Sequence, residues 1–237
     1  MPASQDKMLM MTVSVIIPVY NEAPTIQVLI EKVKATSTAH EILIVDDGST
    51  DHTPDILNSY QNDSLIKVFR LEKNSGKGSA LAEAFRHAKG DILLIQDADL
   101  EYDPQDYPKL IEPILSGQAD VVYGSRFLGD PHRVLYYWHY LGNKFLTTLS
   151  NIMTNLNLND METGYKVFKK ECVQNLTVRS KRFGIEPELT AKFAKGKWRI
   201  FETGISYAGR TYSEGKKVTW RDGFAAVFTI LWFRFFD

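Results

Sequence analysis

The sequence predicts an α/β protein in which a mostly parallel sheet is flanked by helices within a single domain. Short apolar runs with the spacing of buried strands alternate with amphipathic helical patterns through the first half of the chain. Such alternation is typical of parallel sheets covered by helices on both faces. No segment rich in proline, glycine or serine separates the two halves, and 237 residues with 44% hydrophobic content are enough to bury one large core.

The elements of the first half follow from the period of their apolar residues. An almost continuous apolar strand covers residues 13 to 19, and the helix after it has Pro24 in its first turn and an apolar face that begins at Ile26. Further strands are predicted at 41–45, 65–71, 92–96 and 120–123. Helices are predicted from an N-cap at 49–51 through 60, over 76–88, and from about 104 to 115.

The pattern changes after Gly124, where a long helix is predicted over 134–156. Its apolar stripe consists of Phe145, Leu149, Ile152, Met153 and Leu156. An extended segment at 164–168, a helix at 186–195, a strand at 198–207 and a final helix at 220–236 follow. We therefore divide the chain into a tail (1–11), one domain (12–222, with halves 12–123 and 124–222) and an amphipathic C-terminal helix (223–237).

Charge and cysteine content limit the classes of partner and compartment. The 28 basic and 29 acidic side chains give a net charge of -1, so no nucleic-acid partner is expected. Cys172 is the only cysteine, which excludes an intrachain disulfide and favours the reducing cytoplasm. Residues 1–11 do not have the pattern of a signal peptide, and the longest apolar run, at 224–236, is shorter than the roughly twenty residues of a membrane span.

Polar side chains gather where three predicted strands end, which is where ligands bind in open α/β sheets. Glu22 follows the first strand closely, Asp46 and Asp47 follow the second, and Asp97 and Asp99 follow the fourth. An Asp-X-Asp unit in an extended segment directs its two carboxylates to one side. Carboxylates with substrate phosphate oxygens suit Mg²⁺ or Mn²⁺, and the sequence therefore predicts a divalent cation site here.

Several blocks of the sequence resemble the inverting family-2 glycosyltransferases of GT-A fold, most closely the dolichyl-phosphate mannose synthases and the bacterial polyprenyl-phosphate glycosyltransferases. In the first half the blocks are 15–22, 45–51, 74–78 and 97–100. In the second half they are 124–127, 164–168, 183–186 and 209–212. The resemblance covers roughly residues 12 to 222, and it makes 12–123 the nucleotide-sugar half and 124–222 the acceptor half.

The resemblance implies a nucleoside pocket at the ends of the first two strands. Pro18, Tyr20 and Glu22 would line the pocket for the base and the ribose. Asp46 or Asp47 would contact the uracil or guanine and its ribose. The sequence leaves open which of these two carboxylates makes the contact.

The resemblance also implies a site for the diphosphate and its metal. Asp97, Ala98 and Asp99 would contact the ribose and the metal-bound diphosphate. Glu101 stands where similar proteins often have glutamine, and it would be a third metal ligand beside Asp97 and Asp99. Lys77 opens a helix at a glycine-permitted start near the donor and would be a further nucleotide-sugar contact.

The chemistry of sugar transfer requires positive charge at the leaving group, because the nucleoside diphosphate gains negative charge as the anomeric bond breaks. Asp99 with the metal would meet one half of this charge. Arg210, Lys216 and Lys217 lie in a Gly-flanked stretch that could close over the donor, and they are candidates for the other half.

The acceptor decides which other residues react. A phosphate monoester has its second pKa near 6 and is already anionic at neutral pH, so it needs cationic docking, for which Arg126, Arg133 and Lys144 are candidates. A hydroxyl acceptor needs a general base, for which Glu186 and Glu188 are candidates. Asp99, Arg126 and Arg210 are thus the predicted catalytic residues for a phosphate acceptor.

The C-terminal segment favours a lipid acceptor, because it is rich in Phe and Trp with Arg234 near its end, as an interfacial helix would be. The sequence then predicts transfer of mannose or glucose from GDP-mannose or UDP-glucose to a polyprenyl phosphate. The chain would act peripherally at the cytoplasmic membrane face, alone or with a membrane-protein partner. One alternative is a hydroxyl acceptor in polysaccharide or cell-envelope glycan synthesis, and another is a non-catalytic nucleotide-sugar-binding module that docks on membranes.

Overall fold

A computed structural model describes residues 11–129, 132–134, 136–182, 184–211 and 220–236, with side chains in the last segment described from Gly223 onward. Within these ranges the central sheet has seven strands. They are β1 (Val13–Val19), β2 (Glu41–Asp46), β3 (Ile66–Arg70), β4 (Ile92–Ile95), β5 (Val121–Ser125), β6 (Lys166–Lys169) and β7 (Ile200–Gly204). The predicted tail lies almost wholly outside the described residues.

The strand order is β3-β2-β1-β4-β6-β5-β7. Strand β1 pairs in parallel with β2 and with β4, and β5 pairs in parallel with β7. Strand β6 runs antiparallel to both of its neighbours, β4 and β5. The predicted mostly parallel sheet is therefore confirmed, and the carboxyl ends of β1, β2 and β4 meet at one edge.

The helices cover both faces of the sheet. They are α1 (Ile26–Ala35), α2 (Thr53–Asn58), α3 (Lys77–His87), α4 (Tyr107–Leu115), α5 (Tyr137–Thr154), α6 (Ile185–Lys195) and α7 (Trp220–Phe235). Because side chains alternate across a strand, Val15 and Ile17 pack in one core with α1 and α4, whereas Ile16 packs in a second core with α3 and α6.

The predicted stripe of α5 is split by the structure. Leu149, Met153 and Leu156 pack against the second core, but Phe145 and Ile152 are 59% and 69% exposed. The buried residues of this helix are Thr147 and Ser150. The Thr147 hydroxyl accepts a hydrogen bond from the Met161 backbone N–H, so a polar contact adds to the apolar packing of the inner face.

Helix α7 packs against α5 and α6 through Ala226, Ile230 and Phe233. Its aromatic residues Phe224 and Phe228 are exposed. No helix in the described ranges is both long and apolar enough to cross a bilayer.

Candidate active site

Four charged side chains predicted from separate motifs meet at the carboxyl edge of the sheet. Arg210 places its NH1 and NH2 atoms 3.2 Å from the two oxygens of Glu22, and its NH2 atom 3.3 Å from Asp99 Oδ2. The Arg210 backbone N–H donates to Glu101 Oε1 at 2.8 Å, and the Tyr207 hydroxyl donates to Glu101 Oε2 at 2.7 Å. Glu101 Oε1 also lies 3.5 Å from Arg210 Nε, so Glu22, Asp99 and Glu101 surround one guanidinium group.

The carboxylate cluster holds more negative charge than Arg210 neutralises. Burial, together with the charges of Asp97 and Glu101, raises the pKa of Asp99 to about 7 although Arg210 acts in the opposite direction. Asp99 and Glu101 could thus hold a divalent cation together with substrate oxygens, which matches the one or two carboxylates that Mg²⁺ takes. Within the described ranges no three such side chains converge on a single point suitable for a metal ion.

Lys77 explains why Asp97 is not part of that cluster. Its ammonium group lies 2.7 Å from Asp97 Oδ1 and 2.9 Å from Glu186 Oε1. The position of Lys77 is set by Asp47, whose carboxylate accepts the backbone N–H groups of Ser75 at 2.8 Å and Gly76 at 2.6 Å. Gly76 has φ +93°, a conformation that side-chain-bearing residues rarely adopt.

The two neighbouring aspartates after β2 have different partners. Both oxygens of Asp47 are used by the 75–76 loop, and burial raises the pKa of its carboxyl group. Asp46 accepts the Ser49 N–H through Oδ1, whereas its buried Oδ2 has no hydrogen-bond partner and lies 3.4 Å from Arg70 Nε. Of the two aspartates, Asp46 is therefore the one with a carboxylate oxygen that has no hydrogen bond within the described residues, and which of the two contacts a nucleoside stays a prediction.

The remaining residues of the predicted nucleoside pocket lie at the end of β1. Pro18 is buried and opposite Val45 in the sheet, and Tyr20 is half-buried just beyond the strand. The Thr25 hydroxyl lies 3.0 Å from Glu22 Oε2 and 2.8 Å from the Ala98 carbonyl. These contacts join the end of β1 to the loop after β4.

Arg126 lies directly after β5, in the half of the chain predicted to bind the acceptor. Its Nε and NH2 atoms donate to the two oxygens of Asp160 at 2.6 and 2.7 Å, and its backbone N–H donates to Asp160 Oδ2 at 3.1 Å. The guanidinium carbon lies 5.2 Å from the centre of the Tyr207 ring, which is a cation–π distance. Glu202 in turn accepts the Asp160 backbone N–H, so Arg126 is held in one orientation.

The other two predicted acceptor residues lie apart from each other. The backbone N–H of Arg133 donates to the Tyr207 carbonyl at 2.9 Å, and its NH1 atom donates to the Gly209 carbonyl at 3.2 Å. Arg133 therefore lies beside the segment that carries Arg210. Lys144 lies on α5 with its side chain exposed.

Of the two candidate bases, Glu188 has hydrogen-bond partners on both carboxylate oxygens, whereas Glu186 has a partner on only one within the described residues. Glu188 is fully buried, and its oxygens accept the backbone N–H groups of Arg179 at 2.8 Å and Ser180 at 2.6 Å, with Lys192 at 2.7 Å. These contacts give Glu188 a structural role. Glu186 uses Oε1 for Lys77, and its buried Oε2 has no hydrogen-bond partner in the part of the chain that the structure describes.

Comparison with known proteins decides the family of this chain. The sequence model of the family described as "Glycosyl transferase family 2" matches residues 14–177. The chain belongs to glycosyl transferase family 2. This family 2 chain is 30% identical over 215 residues to the dolichol-phosphate mannosyltransferase of Pyrococcus furiosus, with 88% of the chain and 61% of that protein covered.

Two further similar proteins extend the comparison. The family 2 chain is 28% identical over 210 residues to the undecaprenyl-phosphate 4-deoxy-4-formamido-L-arabinose transferase of Yersinia enterocolitica, covering 86% of the chain and 62% of that protein. The chain thus spans less than two thirds of the length of these relatives. Glucosyl-3-phosphoglycerate synthase from Mycobacterium tuberculosis, solved with Mn²⁺, uridine diphosphate and phosphoglyceric acid, superposes with a TM-score of 0.76 at 20% identity over 100% of this chain and 84% of that one. The GT-A fold predicted from the sequence is confirmed.

Sequence reasoning missed the buried charges of the 160–166 segment in this family 2 chain. Burial and the charge of Glu186 raise the pKa of Glu162 to about 8. Burial lowers the pKa of Lys166 to about 8. The available signal was the charged trio Asp160, Glu162 and Lys166, which lies just before and within the 164–168 block. The predicted donor residues Lys216 and Lys217 lie outside the described residues.

Proposed function

We propose that this chain is a metal-dependent, inverting hexosyltransferase that moves mannose or glucose from a nucleotide diphosphate sugar to a polyprenyl phosphate. One observation carries the proposal: Glu22, Asp99 and Glu101, which follow the ends of two strands, surround the guanidinium of Arg210. A pocket with three carboxylates holds the Arg210 guanidinium when no ligand is bound. It would hold the metal ion of a metal-bound diphosphate when the donor is present.

These residues would have different roles in binding the donor. Asp99 and Glu101 would hold Mg²⁺ or Mn²⁺, with Asp97 joining when Lys77 turns to the diphosphate. The bound ion would neutralise charge on the departing diphosphate. Arg210, once displaced from the carboxylates, would pair with the diphosphate oxygens, which the guanidinium fork matches in geometry. The mycobacterial neighbour was solved with Mn²⁺ and a uridine nucleotide, which supports this assignment.

The acceptor site would use Arg126. An anionic oxygen of the lipid phosphate attacks the anomeric carbon, a bond forms between them, and the bond to the donor diphosphate breaks with its electron pair left on the diphosphate. Such a nucleophile has no proton to lose, so it needs a fixed cation rather than a base. Arg126 is fixed by Asp160 and the Tyr207 ring, and the names of the Pyrococcus and Yersinia relatives include lipid phosphates.

The lipid would reach the site from a membrane surface. Helices α5 and α7 pack together, and both carry exposed aromatic residues, among them Trp138 at 76% and Phe224 at 71% exposure. Exposed aromatic side chains at this density are unusual in a soluble surface and typical of an interfacial helix. We place this surface at the cytoplasmic membrane face, alone or beside a membrane-protein partner.

The test is transfer of labelled hexose from GDP-mannose or UDP-glucose to undecaprenyl or dolichyl phosphate in detergent, with Mn²⁺ and with chelator. We expect Asp99→Asn to lower turnover by about a hundredfold or more, with an unchanged circular dichroism spectrum. Glu112→Gln, an exposed carboxylate on α4, is the matched control. A wild-type protein that binds the donor but turns over no faster than Asp99→Asn would instead be a non-catalytic binding module.

A hydroxyl acceptor is the second candidate, and one observation favours it. Glu186 Oε2 is buried and has no partner, so it could take a proton from a hydroxyl group. Transfer to a sugar acceptor that is abolished in Glu186→Gln would establish this alternative.

A further inference from the structure

Glu162 carries one carboxyl oxygen that the described part of the chain leaves unpaired. This atom, Oε1, is out of contact with solvent and has no hydrogen-bond partner within the described ranges. As a whole the residue is only half-buried, so part of it still faces an opening. Leaving such a group unpaired costs free energy, so its presence in a native fold calls for an explanation, and contact with a ligand is one that fits a residue facing a cleft.

The backbone around Glu162 is held firmly, which makes the unpaired side chain more notable. Lys166 donates from Nζ to the carbonyls on either side, those of Met161 and Thr163. The Met161 N–H donates to Thr147, and the Thr163 hydroxyl donates to the Gly124 carbonyl. The main chain at Glu162 is therefore fixed while its carboxyl group is left uncommitted.

The position of Glu162 lies between the donor and acceptor residues. Its carboxyl group is close enough to Arg126 and Glu186 to be shifted by their charges. Glu186 is joined through Lys77 to Asp97, and Gly164, two residues after Glu162, has no room for a Cβ against the Asp97 carboxylate. In the proposed reaction the transferred sugar must lie between the diphosphate and the acceptor phosphate, which is this same space.

We infer that Glu162 is a specificity-determining residue whose carboxyl group binds a hydroxyl of the transferred hexose. The inference rests on the proposed function, because it requires a sugar nucleotide in the cleft. A sugar hydroxyl both donates and accepts hydrogen bonds, so it satisfies the buried Oε1 atom in either protonation state. The contact would therefore strengthen binding of the sugar nucleotide and leave binding of the free nucleotide unchanged.

The test compares sugar nucleotides with the corresponding free nucleotides. Dissociation constants of UDP-glucose and UDP, and of GDP-mannose and GDP, are measured by calorimetry with Mn²⁺ for wild type, Glu162→Ala and Glu162→Gln. For the pair that wild type binds, we expect Glu162→Ala to weaken the sugar nucleotide at least tenfold while the free nucleotide changes less than twofold. Glu162→Gln retains an acceptor oxygen and should keep part of the affinity. The control is Glu112→Ala.

A second readout separates this role from a structural one. A residue kept for stability lowers the melting temperature when it is removed, whereas an unpaired buried carboxyl kept for a ligand does not. We expect Glu162→Ala and Glu162→Gln to melt at or above the wild-type temperature. Equal weakening of sugar nucleotide and free nucleotide, or no weakening of either, would overturn the inference and leave the proposed function in place. If wild type binds neither nucleotide pair, the proposed function fails and the inference fails with it.

Discussion

Lys77 and Asp97 form an ion pair at 2.7 Å that ties the first turn of α3 to the carboxyl end of β4. Glu186 is the second carboxylate on the same ammonium group, at 2.9 Å, and it comes from α6 in the other half of the chain. The pair thus joins the two halves of the domain at the edge of the sheet where the donor would bind.

Removal of Lys77 should be costly, because it leaves the buried carboxylate of Glu186 and the half-buried carboxylate of Asp97 without their cation. We expect Lys77→Met to lower the free energy of unfolding by about 3 kcal/mol or more in urea denaturation. Lys34→Met is the control, since it breaks the ion pair between Lys34 and Asp63 near the surface and should leave the urea midpoint almost unchanged. Equal midpoints for wild type and Lys77→Met would show that the ion pair does not hold the halves together.

Arg210 occupies the carboxylates that a metal ion would use, so the two cations should compete. We expect Arg210→Ala to bind Mn²⁺ at least tenfold more tightly than wild type without nucleotide, because it removes the guanidinium from Asp99 and from Glu101, which among the described residues keeps only its contacts with the Arg210 backbone and Tyr207. Mn²⁺ binding is followed by electron paramagnetic resonance, with Arg199→Ala as a control that removes an arginine ion-paired with Asp120. Weaker Mn²⁺ binding in Arg210→Ala would mean that Arg210 organises the site instead of competing for it.

Glu162 gives a prediction about pH. Burial and the Glu186 charge raise its pKa from 4.5 to about 8 in the folded protein, with Asp160 acting in the same direction and Lys166 and Arg126 in the opposite one. The folded state then binds more protons than the unfolded state, and this group costs stability as the pH rises from about 4.5 towards 8. Glu162→Gln removes that cost. Its advantage over wild type in the free energy of unfolding should grow across this window, by at most about 1.4 kcal/mol per pH unit. An advantage that stays constant with pH would contradict the raised pKa.

Glu186 and Glu188 should respond differently to the same substitution. Glu188→Gln disturbs a carboxylate that holds two backbone N–H groups and Lys192, so we expect a lower melting temperature and an unchanged acceptor preference. Glu186→Gln should keep transfer to a phosphate acceptor within about tenfold, since no proton has to be removed. A loss of 100-fold or more with retained donor binding would assign Glu186 as a general base.

The aromatic residues of α7 should govern membrane attachment. We expect Phe228→Ser to weaken binding to anionic phospholipid vesicles about tenfold, since the ring would bury apolar surface in the lipid. Cosedimentation with vesicles measures this. Phe201→Ser is the matched control, because Phe201 is an exposed phenylalanine on β7, with 40% exposure against 65% for Phe228. Equal effects of the two substitutions would argue against a specific membrane surface.

Much of the fold could be predicted because its signals are local. The apolar spacing of Ile26, Leu29, Ile30 and Val33 predicts α1 and its buried face, and all four residues are fully buried. The stripe of α5 was predicted less well, since its inner face carries Thr147 and Ser150, and hydropathy alone does not mark a polar residue as buried. The direction of β6 has no local signal either, because it depends on which neighbours the strand pairs with.

The sequence by itself determined the order of strands and helices, the acidic residues at the strand ends and the resemblance to family 2. Each of these depends on residues a few positions apart. Only the tertiary structure decided which carboxylates stay unpaired, since Arg210 meets Glu22 across 188 residues and Lys77 meets Glu186 across 109. It also separated Asp46 from Asp47 and Glu186 from Glu188. Residues one or two apart in the chain have almost the same sequence context, but their side chains point to different partners in the folded protein.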